Sequence, residues 1–315
     1  MKKRIFTGIA LAGAAALSVS MAGCGAGATK QAEVLTKDTL LDKALDTFTN
    51  MRSMDADISM DMAVKMSASG FSMEMENKMD MNAAGTKDGN SHLTGKSHIS
   101  ALGQEREINM ESYTVREGNE LTQYSRMGEG SNEGSWSYVK TTADAVDAAD
   151  TVSEMSVSQI ADMYSKLKDS FSDLTLHEEK VRYNNVECYL MDGTIKGEKL
   201  AQTMQSTNQE VMEESLKSMQ LMDLGASLYF RADDEAPYAV EIDLGKAIED
   251  MLAAQSDQMQ GMEISAEEMK VGVIFNSFNN VNEIKVPDAV KNSAVESADI
   301  SDVLDIQNFM GLSDI

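Results

Sequence analysis

Methionine is the residue type whose abundance could matter for chemistry, since the chain contains 25 of them in 315 residues. Three pairs place two thioethers two residues apart: Met60/Met62, Met73/Met75 and Met79/Met81. Soft sulfur ligands suit Cu(I), but no nearby histidine or cysteine completes such a site, and we predict no copper binding. The spacing favours methionine as the ordinary apolar residue of a sheet. The alternative is a pliable surface that contacts a ligand.

Other residue types capable of chemistry are few or unsuitably spaced. The three histidines, His92, His98 and His177, lack the spacing of a zinc site. The glycines of residues 128–134 miss the dinucleotide-binding spacing, and the nucleophile-elbow motif is missing. Among 52 Asp and Glu residues no pair can be nominated as acid and base. We predict no catalytic residues, no metal and no cofactor, and therefore a protein that is not an enzyme.

The first twenty-three residues have the features of a secretion signal, with Lys2, Lys3 and Arg4 before an apolar run over residues 5–19. That run is too short to span a membrane comfortably. Its end, Met21-Ala22-Gly23-Cys24, resembles the bacterial lipobox, although Met21 stands where leucine is usual. The resemblance implies cleavage before Cys24, lipidation of that cysteine, and anchoring on the extracytoplasmic face of the cell membrane. The alternative is ordinary secretion with a stray cysteine.

The chain is acidic, with a formal net charge of −25. Such a surface repels nucleic acid, so we predict no nucleic-acid partner. The length allows one large or two modest domains. If Cys24 carries lipid, only Cys188 remains and no internal disulfide can form. Cys188 lies in an apolar run over residues 186–190, which predicts a buried, unreactive thiol.

Hydrophobic periodicity predicts both helices and strands. Alternate residues over 54–68 are apolar, and the alternation restarts after Ser69-Gly70, which predicts a long antiparallel hairpin preceded by an amphipathic helix over 38–53. Further strands are predicted over residues 91–101, 105–116, 121–127 and 135–140, giving a meander of about six strands. In the second half we predict helices over residues 160–174, 197–222 and 246–259, and strands over 174–183, 186–196, 226–232, 238–244, 268–278 and 281–286.

These elements suggest four segments of the chain. They are a lipoprotein signal peptide (1–23), a flexible tether (24–37), an α+β domain (38–297) with possible halves at 38–140 and 154–297, and an acidic tail (298–315).

The order of elements resembles the bacterial lipoproteins with the fold of the lipoprotein carrier LolA. This family includes mycobacterial lipid-carrying lipoproteins and Gram-positive surface lipoproteins. The likeness covers most of the chain but contains no diagnostic motif. It is carried by the helix over 40–51 leading into Met54, the hairpin over 113–124, the strand Trp136-Ser137-Tyr138-Val139-Lys140, and residues 279–287. The resemblance implies an α+β fold, in which amphipathic helices cover the concave face of a curved antiparallel half-barrel sheet.

That fold would enclose an apolar cavity between sheet and helices. We therefore expect a carrier or binder of a lipid or another hydrophobic ligand, with a cavity wall that includes Met60, Met62, Met73, Met75 and Trp136. The alternative is a structural or interaction lipoprotein without a cavity, which presents its acidic surface to a protein partner in the cell envelope.

Overall fold

The computed structural model describes residues 35–68, 71–142, 171–205, 223–249 and 262–297. The predicted signal peptide, Cys24 and the acidic tail lie outside these ranges. Among the described residues, thirteen strands form one open sheet in the order β13-β6-β5-β4-β3-β2-β1-β12-β11-β10-β9-β7, with β8 paired to β9. All pairs are antiparallel except β13 with β6, which is parallel.

The first six strands follow one another along the chain, which confirms the predicted meander. They are β1 Ser53–Ala68, β2 Phe71–Thr86, β3 Ser91–Ala101, β4 Gln104–Glu117, β5 Glu120–Glu129 and β6 Ser137–Thr142. The remaining strands are β7 Phe171–Leu176, β8 Val181–Tyr183, β9 Val186–Ile195, β10 Leu224–Arg231, β11 Pro237–Asp243, β12 Met262–Phe278 and β13 Val295–Glu296. The helices are α1 Lys37–Thr49, α2 Gly197–Gln205 and α3 Asp288–Ser293.

The two parts of the sheet meet at β12, which pairs with β1 on one side and with β11 on the other. Its long ladder with β1 places Met60 opposite Val271 and Ala56 opposite Phe275. The ladder is interrupted by register shifts at Asp55/Ala56 and Ala63/Val64. Irregularities of this kind bend a strand and increase its twist.

Alternation gives the sheet an apolar face and a polar face. The apolar face contains the even-numbered residues of β1, such as Ala56 and Met62, together with the residues opposite them on neighbouring strands. The polar face contains the odd-numbered residues, such as Asp55, Asp57 and Ser59. This division follows from the period of two along a strand and confirms the one-sided character that the alternation predicted.

Helix α1 packs on the apolar face and forms the main core with β1 and β9 to β12. A reciprocal capping box fixes its start, in which Thr39 N donates to Thr36 Oγ1 at 3.2 Å and Thr36 N donates to Thr39 Oγ1 at 2.9 Å. The Phe48 ring meets Phe275 edge to face, with ring centroids 5.3 Å apart. We call the apolar cluster under α1 the helix-packed core. Its fully buried members include Leu40, Ala44, Phe48, Leu228, Phe230 and Ile242.

Among the described helices, α1 packs on the apolar face. Helix α2 confirms the beginning of the helix predicted over 197–222, and residues 245–249 are helical at the beginning of the one predicted over 246–259. The remainder of both predicted helices lies outside the described residues. None of the described helices has the length and apolar character needed to cross a membrane.

The helix predicted over 160–174 was wrong at its end, because Phe171 and Leu174 belong to β7. Phe171 pairs with Ile195 of β9, and this tertiary pairing prevails over a local spacing that is also compatible with a helix. Residues 160–170 lie outside the described ranges.

The strand predicted over 281–286 was also wrong. These residues begin an irregular segment, residues 281–294, that crosses the polar face from the end of β12 towards β6 and includes α3. Ile284, Val286 and Val290 pack against Tyr113 of β4. The alternating apolar residues that suggested a strand pack against the sheet through their side chains. The Val281 N–H does not join a strand ladder but donates to Ser53 Oγ at 3.1 Å.

Candidate ligand-binding site

A cluster of methionines lies on the apolar face of β1 to β5, next to the helix-packed core. Its buried members are Met79, Ile99 and Ile108, and its partly buried members are Met60, Met81, Met110 and Met127. We call these seven residues the methionine patch. The cross-strand register explains how they meet, because Met60 lies opposite Met79 in β2, and Met110 of β4 lies opposite Met127 of β5.

Gly95 lies in the middle of the methionine patch, between Met81 on β2 and Met110 on β4. A Cβ atom at this position would be 2.7 Å from Met81 Cγ and 3.4 Å from Met110 Cγ. The absence of a side chain on β3 therefore lets the two methionines extend over it. A larger residue at position 95 would force flexible thioethers to move.

Uncharged polar side chains continue the apolar face beyond the methionine patch. Ser112 and Ser125 lie opposite each other, as do Thr114 and Gln123. We call these four residues the uncharged polar patch, and all of them are buried. Gln123 is only 1% exposed, and neither its Nε2 nor its Oε1 has a hydrogen-bond partner. A buried polar group without a partner costs about 1–3 kcal/mol.

Asn77 provides a second buried amide on the apolar face, opposite Met62 and Ile99. Its Oδ1 accepts a hydrogen bond from Ser97 Oγ at 2.7 Å. Its Nδ2 has no partner although the residue is fully buried. Neither Asn77 nor Gln123 is among the site residues predicted from the sequence. For Asn77 a signal existed, because it occupies an apolar position of the alternation between Met75 and Met79.

The structure brings four of the five predicted cavity residues to one face. Met62 and Met75 are buried in the helix-packed core, and Met60 packs against both that core and the methionine patch. Met73 is half-buried on the same face, one alternation from Met75. Trp136 lies apart from them, because it packs on the polar face with Tyr113, Ile284 and Val286. A cavity role for these residues stays a prediction.

Trp136 belongs to a network of charged and aromatic side chains centred on Glu111. The Arg126 guanidinium lies 5.0 Å from the Trp136 ring centroid and donates from Nη2 to Glu111 Oε2 at 2.8 Å. Tyr113 Oη donates to Glu111 Oε1 at 2.9 Å, and His92 Nε2 lies 3.1 Å from the same oxygen. The His92 and Tyr113 rings stack with their centroids 4.2 Å apart.

This network shifts the pKa values of its members. Burial alone would raise the pKa of Glu111, but hydrogen bonds from Arg126, His92 and Tyr113 outweigh it and hold the pKa below its ordinary value. Burial and the bond to Glu111 raise the pKa of Tyr113 to about 12. Arg126 also pairs with Glu133. Through these contacts Glu111 of β4 links His92 of β3 to Arg126 of β5 on the polar face.

A polar groove of about 1000 Å³ lies beside this network on the polar face. Strands β1 to β5 form its floor, and Tyr183 at the end of β8 and Asn184 in the turn that follows also line it. Its charged residues are the carboxylates Asp57, Asp80, Glu107, Glu111 and Glu133 and the cations Lys96 and Arg126. In the described part of the chain, no three His, Cys, Asp or Glu side chains are grouped so as to hold a metal ion.

Cys188 is fully buried on β9, which confirms the predicted buried thiol. It packs with Tyr238 and Ala239. Burial raises the pKa of this thiol, and the thiolate is the reactive form of a cysteine. The described residues therefore give Cys188 a structural role.

The fold and this site define a protein with one extended antiparallel sheet, a helix on its apolar face and a methionine-rich surface beside that helix. The chain belongs to DUF6612, a family of unknown function, which it matches over residues 36–295. No curated protein matches the sequence significantly.

Solved structures similar to this chain include proteins of the class that the sequence resembles. The lipoprotein LppX of Mycobacterium tuberculosis is 9% identical, with a TM-score of 0.35 and coverage of 78% of this chain and 97% of LppX. A putative outer membrane lipoprotein-sorting protein domain from Vibrio parahaemolyticus is 8% identical, with a TM-score of 0.18 and coverage of 73% and 87%. A chain of the MucA/MucB complex of Pseudomonas aeruginosa is 10% identical, with a TM-score of 0.25 and coverage of 80% of this chain and 59% of that chain.

Proposed function

We propose that this chain is an extracytoplasmic lipoprotein that binds a lipid or another hydrophobic ligand against the methionine patch. One observation carries the proposal. On the same apolar face, most residues of the helix-packed core are buried, whereas in the methionine patch the partly buried residues, Met60, Met81, Met110 and Met127, outnumber the buried ones. Large apolar side chains that stay partly accessible beside a buried core are typical of a surface that receives a ligand.

Methionine suits such a surface because it is unbranched and polarizable. Its side chain adapts to partners of irregular shape, as acyl chains are, at little cost in free energy. Methionine makes up five of the seven residues of the methionine patch but only five of the twenty-five buried residues of the neighbouring core, where leucine, alanine, phenylalanine, isoleucine and valine predominate. The difference in residue type supports a division of labour between folding and binding.

The proposed function is non-enzymatic and requires no cofactor. It places the protein on the outer face of the cell membrane, attached through lipid on Cys24. The sequence before the folded body supports this location through its basic start, its apolar run and the Met21-Ala22-Gly23-Cys24 segment.

Ligand binding can be tested with a fluorescent reporter of apolar surfaces, 1-N-phenylnaphthylamine. We expect saturable binding to the purified protein, displacement by long-chain lipids, and co-purified lipids in organic extracts analysed by mass spectrometry. The matched variants are Met110→Asp in the methionine patch and Glu105→Asp at an exposed position of the same strand. Saturable binding that Met110→Asp does not weaken in a folded protein would argue against this site.

Anchoring needs a separate test in the host cell. Metabolic labelling with a palmitate analogue should mark the native chain and leave the Cys24→Ala variant unlabelled and released into the medium. A native chain that is unlabelled and freely released would disprove the anchor without touching the ligand proposal.

The polar groove favours a second candidate, an interaction lipoprotein that binds a basic partner in the cell envelope. Five of its seven charged lining residues are carboxylates, so cationic segments would be attracted to it. Crosslinking in cells of the native chain and of an Asp57→Asn/Asp80→Asn variant would test this candidate. A crosslinked partner that both chains retain equally would count against the groove.

A further inference from the structure

The methionine patch and the uncharged polar patch are continuous along the strands. Ser112 and Ser125 lie two residues beyond Met110 and Met127, and Thr114 and Gln123 lie four residues beyond them. At the rise of a β-strand, these steps correspond to roughly 7 Å and 13 Å. The apolar face therefore changes from thioethers to hydroxyls and an amide over the length of a small polar head group.

The buried polar side chains on this part of the apolar face are all uncharged. In the described residues of β1 to β6 they are Asn77, Ser97, Ser112, Thr114, Gln123 and Ser125. The charged residues of the same face, Arg106, Arg116 and Glu129, are exposed. An ionised group buried among uncharged neighbours pays a large desolvation cost, whereas an ester, amide or hydroxyl needs only hydrogen bonds.

Gln123 has hydrogen-bonding capacity that the described protein does not use. Its amide can donate two hydrogen bonds from Nε2 and accept through Oε1, yet both atoms are buried and without partners. Buried polar groups in folded proteins are nearly always hydrogen-bonded, so an amide with both ends unpartnered indicates a position where another polar molecule binds.

We infer that the ligand is an amphiphile with an uncharged ester or hydroxyl head group, which binds in one orientation. Its chain lies along the methionine patch, and its head group hydrogen-bonds to Gln123 with Thr114 beside it. This inference rests on the proposed function and adds to it a ligand class and a direction. It also excludes a buried carboxylate or phosphate head group.

The test compares two probes of equal chain length, 1-monooleoylglycerol and oleate, as displacers of 1-N-phenylnaphthylamine from the full chain with Cys24→Ala. At about pH 8 oleate is ionised, because the pH is far above the pKa of a carboxyl group. We expect the native site to bind the glycerol ester about tenfold more tightly, the equivalent of one good hydrogen bond and an avoided buried charge.

Gln123→Leu should abolish this preference, because leucine preserves the bulk and removes the amide. Gln104→Leu, at an exposed position of β4, is the matched control and should keep it. The thermal midpoint of each variant verifies folding. Thr114→Val, nearly identical in shape, should reduce the preference less and serves as the second variant if Gln123→Leu does not fold.

The possible outcomes separate the two proposals. If both lipids displace the reporter but Gln123→Leu, or Thr114→Val in its place, leaves their ratio unchanged, the orientation is wrong and the hydrophobic site remains. If oleate binds the native chain as tightly as the glycerol ester, the uncharged ligand class is wrong. If neither lipid displaces the reporter from the native chain, the proposed function itself fails.

Discussion

Two regions share the apolar face of this sheet and differ in how completely they are buried. In the helix-packed core, Phe48, Leu228, Phe230 and Ile242 are at most 1% exposed, and only five of the twenty-five buried residues are methionine. In the methionine patch, four of seven members are only partly buried, and unpartnered amides lie near it. One face of the sheet thus contains both a buried core and a surface whose composition is suited to a ligand.

The two regions also differ on the opposite side of the sheet. Behind the methionine patch, the polar face carries Glu111 and the polar groove, and the crossing segment of residues 281–294 packs further along, on Tyr113 behind the uncharged polar patch. The strands of the patch are thus held from the polar side by charge-assisted hydrogen bonds.

The largest effect is expected in the helix-packed core. Phe48→Ala should lower the free energy of unfolding by about 3–5 kcal/mol, because it removes a buried ring and leaves a cavity. The measurement is the urea midpoint of the ligand-free chain, with Met81→Ala as the comparison in the methionine patch. Equal losses in the two variants would show that the patch is as much a core as the region under α1.

The second largest effect is expected in the Glu111 network on the polar face. Glu111→Gln should cost about 2 kcal/mol at neutral pH, since it weakens charge-assisted bonds from Arg126. Because the pKa of Glu111 lies below its ordinary value of 4.5, its charged form stabilises the fold above that pH. This contribution is lost as the pH falls further.

Urea titrations at neutral pH and at about pH 3 provide the check. The gap between Glu111→Gln and the native chain should narrow in acid. A gap that stays constant would mean that the carboxylate charge does not support the patch.

A smaller effect is expected within the methionine patch. Met110→Ala should destabilise the ligand-free chain by about 1 kcal/mol, because a partly exposed side chain contributes less than a buried one. It should nevertheless weaken displacement of the reporter by lipid. Met110→Leu, which conserves volume, is the control for stability. If Met110→Ala binds lipid more weakly than Met110→Leu although the two variants are equally stable, the methionine patch differs from the helix-packed core in serving binding more than folding.

The smallest effect is expected at Leu102, which is 66% exposed in the turn between β3 and β4. Leu102→Ser should change the free energy of unfolding by less than about 0.5 kcal/mol, as surface substitutions usually do. The thermal midpoint is a sufficient measurement. A clear loss would indicate that this turn is covered in solution and that the patch extends to it.

The sequence was sufficient to predict the local architecture where the period of two is strong. Residues 54–66 alternate almost without exception, and β1 to β6 lie close to their predicted positions. The pairing of β1 with β12 was not predictable, because alternation identifies a strand but not its distant partner. The same limit explains why Trp136, which was predicted to lie with the methionines, packs on the polar face. Periodicity shows that successive residues of a strand take opposite sides, but cross-strand register decides which side faces the methionines.

The central position of β12 has a consequence for the order in which the molecule can be completed. During synthesis, β1 emerges early, and one of its edges stays unpaired until β12, near the end of the folded body, has been made. An unpaired strand edge is a template for wrong association, and pairing over such a separation is slow. A ribosome that stops before residue 262 therefore releases two part-sheets with no strand to join them, and we expect such fragments to aggregate.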